Sequence, residues 1–437
     1  MKKIIIVCLL FSSFAKSQVN NVPVAKTFIA KLERHQFDSA YLFFDTTISN
    51  KISAAMLEQM WGGFSRFVGD YKEYTNLRCV EGKNGDSAIV ALCVFEKGKF
   101  DLHLHFTKTS LVDGIFFRQP KSDKAYSSPP YEKSSAFYEN KIDLVTGKYK
   151  LPGSLLLPNN ISNPPMVIML SGSGPNDKDA SIGPNKAFKD IAIGLASNGI
   201  ASFRYDKRTL VYGSEFSDHK TKITLNEEYI EDALNAVKLL RTNPATKNSK
   251  IYLLGHSLGA GCVASVATKA KNINGVILMA GTARQLEDVV IEQYTYILGL
   301  DGYSKEDSLE LKDIEKKVAT VKNPELLKKA SATELPLDMP SEYWQSIKSI
   351  VTTKSVIKLK QPVLVMQGGR DYQVTEQDFN LWKMNLSPQA KNKFLFYDNL
   401  NHLFMSGKGK AKPAEYEKPG NVEEQVILDL AKWIKEN

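Results

Sequence analysis

Serine, histidine and aspartate are the residues of this 437-residue chain whose spacing could support nucleophilic chemistry. Ser257 lies in Gly255-His256-Ser257-Leu258-Gly259. Four apolar, strand-favouring residues (251–254) precede it, and small residues follow through Cys262, Ala264, Val266 and Ala267. This order predicts strand, sharp turn and helix with the serine at the apex, and nothing larger than glycine fits well at Gly255 and Gly259. Such a turn lifts the hydroxyl above the sheet and aims the first N–H groups of the helix at whatever the serine attacks. Serine is a poor nucleophile at neutral pH, so it needs a base, and the base needs an orienting acid.

The chain has six histidines. His35, His103 and His105 fall in an amino-terminal unit, His219 in a polar loop, and His256 beside the serine with its ring directed away from the hydroxyl. His402, just after the last apolar strand, is the expected base. Asp371 ends Gly368-Gly369-Arg370-Asp371 behind the strand at 363–367 and is the expected acid, giving the order Ser, Asp, His. Asp398 is the rival, but it stands so near His402 that the chain would have to reverse sharply for the two to meet. An oxyanion needs two convergent backbone donors. They are expected from Leu258 N–H and from Ser173 N–H, the latter in Leu170-Ser171-Gly172-Ser173-Gly174-Pro175. Arg204, Asp206 and Arg208 end another strand. They are read as an ion-pair network bracing the oxyanion loop through Asp177 or Asp179, rather than as an anion site.

These residues need a scaffold that brings them to one edge. From residue 134 onward, short apolar runs at 166–170, 200–205, 251–254, 276–280, 363–367 and 394–397 alternate with helical patterns such as 225–240, after a hairpin expected at 137–145 and 149–157. Continuous apolar strands between amphipathic helices predict an α/β architecture, a mostly parallel sheet with helices on both faces. Its active site belongs at the carboxyl ends of the strands. Residues 285–360 contain helical patterns and the aromatics Tyr294, Tyr296, Tyr343 and Trp344 but no buried strand, so they are expected as a helical cap insertion. Most of those aromatics should form the cap's own core. Residues 21–120 read as a small α+β unit, with helices followed by a meander of strands and a turn signal at Asn84-Gly85. Residues 121–133 read as a polar, proline-bearing linker. Residues 1–17 have the pattern of a signal peptide, which predicts an exported, periplasmic or secreted protein.

The motifs from Ser171-Gly172-Ser173-Gly174-Pro175-Asn176-Asp177-Lys178-Asp179 through Arg204-Tyr205-Asp206-Lys207-Arg208 to Gly255–Gly259 and Gly368–Asp371 resemble one bacterial α/β-hydrolase family. Its members include EstD-type carboxylesterases and serine aminopeptidase-like hydrolases. The resemblance runs over residues 134–437 with the four motifs in the family's order, and it implies the α/β-hydrolase fold with Ser257, Asp371 and His402 as catalytic residues. The usual histidine before the oxyanion glycine is Ser171 here, as in the esterase branch. The amino-terminal unit resembles the cystatin-like or nuclear-transport-factor-like domain of unknown function that precedes such hydrolases, and this implies no activity.

Composition narrows the partners. The formal charge is +9, and removal of Lys2, Lys3 and Lys16 with the leader leaves 9 − 3 = +6. The lysines are scattered without an aromatic-interleaved stripe, so no nucleic-acid partner is expected. No later segment is apolar and long enough for stable membrane insertion. Cys79, Cys93 and Cys262 are too few for a disulfide framework, and a Cys79–Cys93 bridge depends on strand register. Asp101, His103 and His105 share a strand face, read as polar surface rather than a metal site. The expectation is a serine hydrolase acting on a small-molecule ester or acyl substrate, without metal or organic cofactor and with oligomeric state left open. A peptidase, a thioesterase and a non-catalytic binding protein are the alternatives.

Overall fold

The computed structural model describes residues 21–437 apart from 82–86, 97, 119–125, 218–220, 301 and 352. The leader at 1–17, the Asn84-Gly85 turn, His219 and the first part of the linker lie outside these residues. The chain divides into two compact units, Met1–Lys121 and Ser122–Asn437.

In the first unit, helices α1 (Val22–Glu33), α2 (Phe37–Tyr41), α3 (Thr46–Ser49) and α4 (Ala54–Val68) precede strands β1 (Tyr71–Glu81), β2 (Ser87–Phe95), β3 (Gly98–Phe106) and β4 (Val112–Arg118). The strands form an antiparallel meander in that order. Phe28, Ile29 and Leu32 of α1 and Leu57 and Trp61 of α4 share one buried cluster with Ile89, Ala91, Leu102 and Leu104. Ser53 starts α4 by accepting a hydrogen bond from the Met56 N–H at 3.2 Å.

The register decides the cysteine question. Cys79 stands opposite Ile89 and Cys93 opposite Tyr74, so the two are offset along the ribbon and both are free thiols. Asp101 is ion-paired with Arg78, and the His103 ring stacks on Phe116 with centroids 4.9 Å apart. Among the described residues no cluster of three or more metal-ligating side chains occurs.

The second unit is built on an eight-stranded sheet. Each predicted strand of the opening hairpin breaks in two. The first yields β5 (Phe137–Lys141) and β6 (Leu144–Thr146), and the second yields β7 (Tyr149–Leu151) and β8 (Gly153–Pro158). Pro152, which cannot donate to a ladder, marks the second break. β5 and β8 pair in the main sheet while β6 and β7 form a separate ribbon. There follow β9 (Met166–Leu170), the two-residue β10 (Ser181–Ile182) and β11 (Asn185–Lys186), α5 (Ala187–Ser197), β12 (Ala201–Tyr205), α6 (Arg208–Val211) and α7 (Gly213–Ser217). The helix expected over 225–240 begins as a π-helical turn, Asn226–Glu231, and continues as α8 (Asp232–Thr242). Next come β13 (Ile251–His256), α9 (Leu258–Lys269) and β14 (Ile273–Met279).

Between β14 and β15 (Val363–Gly368) lies the helical insertion: α10 (Leu286–Leu298), α11 (Lys305–Lys322), α12 (Pro324–Lys329), α13 (Ser341–Ile350) and α14 (Thr353–Ile357). The chain ends with α15 (Glu376–Leu386), β16 (Lys393–Tyr397) and α16 (Glu424–Glu436). The sheet order is β16-β15-β14-β13-β9-β12-β8-β5. The neighbours from β12 to β16 pair in parallel, and β8 runs antiparallel to both β12 and β5.

Successive side chains of the central strands enter different cores. Met166, Ile168, Ile251 and Leu253 join one buried cluster, and Val167, Met169, Tyr252 and Leu254 the other. The alternation of a strand therefore buries both faces, which is why these segments read as continuous apolar runs. The described part of the expected linker also packs here. The Tyr126 hydroxyl donates to Asp190 Oδ1 at 2.7 Å and the Tyr131 hydroxyl to the Val422 carbonyl at 2.8 Å. Among the described residues no helix is long and apolar enough to cross a membrane.

Candidate active site

β13 and β9 are neighbours, and their register sets Gly255 opposite Leu170. Chain leaving either strand therefore emerges at the same place. Ser257 follows β13 with φ 55° and ψ −124°, a left-handed-side conformation that L-residues seldom adopt. Its N–H donates to the Met279 carbonyl at 2.9 Å, so β14 holds the turn from behind. A Cβ at Gly255 would collide with the Gly259 carbonyl, and one at Gly259 with the Leu170 carbonyl. The two glycines thus let α9 begin hard against the ends of two strands. Across the gap lies the loop after β9, where a Cβ on Gly172 would stand 3.2 Å from Ser257 Cβ.

Asp371 and His402 meet in the interior. His402 Nδ1 and Asp371 Oδ2 are 2.6 Å apart, and both residues are almost fully buried. Asp371 Oδ1 accepts the N–H groups of Gln373 (2.7 Å) and Val374 (3.1 Å), and the buried Gln367 amide donates to Oδ2 at 3.2 Å. The carboxylate therefore closes its own loop and turns one oxygen to the imidazole. Asp398, the rival acid, is exposed.

His256 ties this pair to the serine turn. Its Nε2–H donates to the His402 carbonyl at 2.8 Å, and the two rings are 4.5 Å apart. Burial, and then the neighbouring His402, push the His256 imidazole down to about 3, so it serves as a neutral donor. Among the described residues no hydrogen bond links the Ser257 hydroxyl to His402. The structure brings the serine turn and the His402 loop together through His256.

Both loops thus lie at the carboxyl edge of one sheet. The family model described as "Serine aminopeptidase, S33" (Hydrolase_4) matches residues 185–408, which include Ser257, Asp371 and His402. Esterase EstD of Thermotoga maritima is 34% identical over 408 residues, 93% of either chain. This chain belongs to that α/β-hydrolase family. Residues 25–114 match a family described only as a protein of unknown function, DUF3887. Est1E from Butyrivibrio proteoclasticus is similar in structure, with a TM-score of 0.44 and 17% identity, covering 68% of this chain and 98% of that one. The acylaminoacyl peptidase of Pyrococcus horikoshii has a TM-score of 0.45 and 14% identity, covering 84% of this chain and 56% of that one.

In this α/β-hydrolase the charged residues after β12 are ion-paired. Arg204 bonds Asp179 and Glu139, each at 3.0 Å, and so braces the loop after β9 from one side. Asp206 accepts the Lys178 N–H at 2.8 Å. Arg208 turns away from the loop and pairs with Asp232 and Glu231 at the start of α8. Asp177 folds back on its own turn, accepting from Asp179 N, Ser181 N and Ser181 Oγ.

Sequence reasoning passed over the residue between them. Lys207 is 3% exposed, and its Nζ lies 2.8 Å from the Gly174 carbonyl, 3.2 Å from the Gly172 carbonyl, 2.7 Å from the Tyr229 hydroxyl and 2.9 Å from Glu228 Oε1. Burial pushes this ammonium below the usual lysine range, while Glu228 pulls it back. The only hint in the sequence was a lysine directly after a strand end in a motif rich in charge.

The cap reaches the same centre. Tyr343 of α13 donates to Glu228, and Tyr296 of α10 stacks on Tyr372, next to Asp371, at 5.2 Å. Trp344, by contrast, is fully buried and donates to the Pro336 carbonyl at 3.2 Å within the insertion.

Proposed function

We propose that this esterase-type α/β-hydrolase cleaves carboxylic esters through an acyl-enzyme on Ser257, with His402 as general base and Asp371 as its orienting acid. The observation that carries the reading is the buried 2.6 Å bond between His402 Nδ1 and Asp371 Oδ2, delivered beside a serine held at positive φ. With Nδ1–H committed to Asp371, the free electron pair of the imidazole is on Nε2, where it can take the serine proton.

Ser257 Oγ bonds to the ester carbonyl carbon, and its proton passes to His402 Nε2. The carbonyl oxygen becomes an oxyanion, held by the N–H groups of Leu258 and Ser173. Collapse expels the alcohol, which takes the proton from His402 and leaves the acyl group on Ser257. Water, activated by the same nitrogen, releases the acid and restores the serine. In this reading the leader at residues 1–17 makes the enzyme an exported one.

A peptidase of the aminopeptidase type would need free acids in the cap for the substrate's ammonium. Glu287, Glu292 and Glu342 are the acids the sequence suggests. Each already faces a cation: Glu287 meets Lys348 at 2.6 Å, Glu292 meets Arg284 at 2.5 Å and Glu342 meets Lys222 at 3.1 Å. This favours the ester.

The test compares the protein with its Ser257→Ala variant on short- and long-chain aryl esters, an acyl-CoA and aminoacyl anilides. Ester turnover should fall by about 10⁴-fold or more in the variant. Anilide turnover exceeding ester turnover would replace the ester reading with the peptidase. Ester turnover that survives in Ser257→Ala would remove Ser257 from the mechanism.

A further inference from the structure

The loop after β9 is held by its carbonyl oxygens. Gly172 O accepts from the Tyr229 hydroxyl (2.6 Å), Asn176 Nδ2 (3.0 Å) and Lys207 Nζ (3.2 Å). Ser173 O accepts from Asn176 Nδ2 at 2.7 Å, and Gly174 O from Lys207 Nζ at 2.8 Å. The described peptides are all trans, and in a trans peptide the carbonyl and the following N–H point in opposite directions. Three donors on the Gly172 oxygen therefore turn the Ser173 N–H to the other side of the loop. Among the described residues that N–H has no acceptor, and its neighbour Gly172 lies against Ser257.

A cation on a carbonyl oxygen also polarises the peptide and strengthens the N–H as a donor, most of all in a dry setting. Lys207 and Glu228 are each 3% exposed. A buried ion pair is seldom a better source of stability than an apolar pair of similar volume, so this one calls for another role. Glu228 holds the lysine and also accepts from Thr209 Oγ1 at 2.6 Å and from the cap's Tyr343. A continuous polar chain thus runs from α13 of the cap through Glu228 and Lys207 to the Gly172 and Gly174 carbonyls.

We propose that Lys207 is a positioning residue for acyl transfer: its ammonium, anchored by Glu228, fixes the loop so that the Ser173 N–H meets the developing oxyanion, and Tyr343 makes that position depend on the seating of the cap. The proposal rests on the Ser257 reading above. Its signature is kinetic. Contacts that matter only once the oxyanion forms lower kcat and weaken oxyanion mimics while leaving KM nearly unchanged.

The experiment takes the full chain with Lys207→Met, Tyr229→Phe and Tyr343→Phe. It measures kcat and KM on a short-chain aryl ester, and inhibition by an aryl trifluoromethyl ketone, which adds to a serine hydroxyl to give an oxyanion. Lys207→Met should lower kcat by about 30- to 100-fold, with KM within about threefold and ketone inhibition weakened in parallel. Tyr229→Phe and Tyr343→Phe keep the charge pair and should lose about three- to tenfold on the same two readouts.

A folded Lys207→Met protein whose kcat and ketone inhibition stay within about threefold of the parent overturns the proposal. So does a loss confined to melting temperature or yield, the mark of a purely structural lysine. Should Lys207→Met fail to fold, Tyr229→Phe decides, and unchanged kcat and ketone inhibition in it overturn the proposal. Turnover lost in Ser257→Ala but normal in Lys207→Met sinks only the positioning role. Turnover that survives in Ser257→Ala sinks both.

Discussion

Two loops lie at the carboxyl edge of the sheet, and they are held in opposite ways. The loop after β9 is gripped by its carbonyls, with the Lys207 ammonium, the Tyr229 hydroxyl and the Asn176 amide as donors. The loop after β15 is gripped by its N–H groups, with Asp371 Oδ1 accepting from Gln373 and Val374. A buried cation turns peptide oxygens inward and N–H groups out, whereas a buried carboxylate does the reverse. The sign of the buried charge thus selects which end of the peptide dipole is anchored and which is turned away. Among the described residues the Ser173 N–H of the first loop has no acceptor, and in the second loop Asp371 Oδ2 lies 2.6 Å from His402 Nδ1.

The largest effect is expected on the acidic side. Asp371→Asn removes the charge and presents the wrong tautomer partner to His402, so kcat should drop by about 10³- to 10⁴-fold in steady-state assays on an aryl ester. That loss should exceed the one expected for Lys207→Met, because in the proposed mechanism Asp371 acts directly on the base and the lysine acts through a peptide. A larger loss in Lys207→Met would mean that the loop after β9, not the Asp371–His402 pair, limits the chemistry.

Arg208 sharpens the contrast from outside the site. It sits one residue beyond Lys207 but pairs with Asp232, away from both loops. Arg208→Met should leave Asp232 buried without its cation and cost about 3 kcal/mol in urea unfolding. Turnover per folded molecule should stay at the parental level, and a kcat loss like that of Lys207→Met would show that the two cations act as one unit.

The smallest effect concerns the link to the His402 loop, which is made by a neutral group. His256 has its folded pKa at about 3 against about 6.5 in an unfolded chain, so below pH 6.5 the unfolded chain binds a proton that the folded one refuses. Its contribution to stability is complete above about pH 6.5 and is lost as pH falls from there toward 3, by up to ~1.4 kcal/mol per unit. Asp190 and Asp232, raised by burial to about 6, act in the opposite sense, their contribution fading as pH rises toward 6. The measurement is therefore the difference in urea stability between the parent and His256→Gln at pH 7.5, 6.5 and 5.5. The difference should shrink as pH falls, and a constant one would mean that His256 takes up its proton equally in the folded and the unfolded chain.

Much of this site was legible beforehand because its parts obey local rules. Two glycines flanking a serine between an apolar run and a small-residue run can form few things other than a strand–turn–helix, and the structure has β13, Ser257 at φ 55° and α9 there. Asp371 and His402 could be chosen because each follows a strand, and the structure brings the two into contact. Where expectation and structure part, partners distant in sequence decide. The Cys79–Cys93 question turned on register, which shifts between Thr75 and Arg78 in β1. The residue at 207 could not be told from a surface lysine, because the groups that hold it come from the loop after β9 and the π-helical turn, 21 to 35 positions away. Tyr343 read as a member of the cap's own core, and only packing against Glu228 gave it a polar task.

By itself, then, the sequence determined the order of strands and helices, the serine turn and the two loops that carry Asp371 and His402. Sterics and apolar periodicity act over a few residues, and those residues are contiguous in the chain. Only the tertiary structure decided which charges are buried together, that Lys207 grips the loop across from Ser257 and that the cap is wired to it. Electrostatic partners are assigned by strand order and by packing across the sheet, and the cost of burying a charge alone makes each such pairing all-or-none.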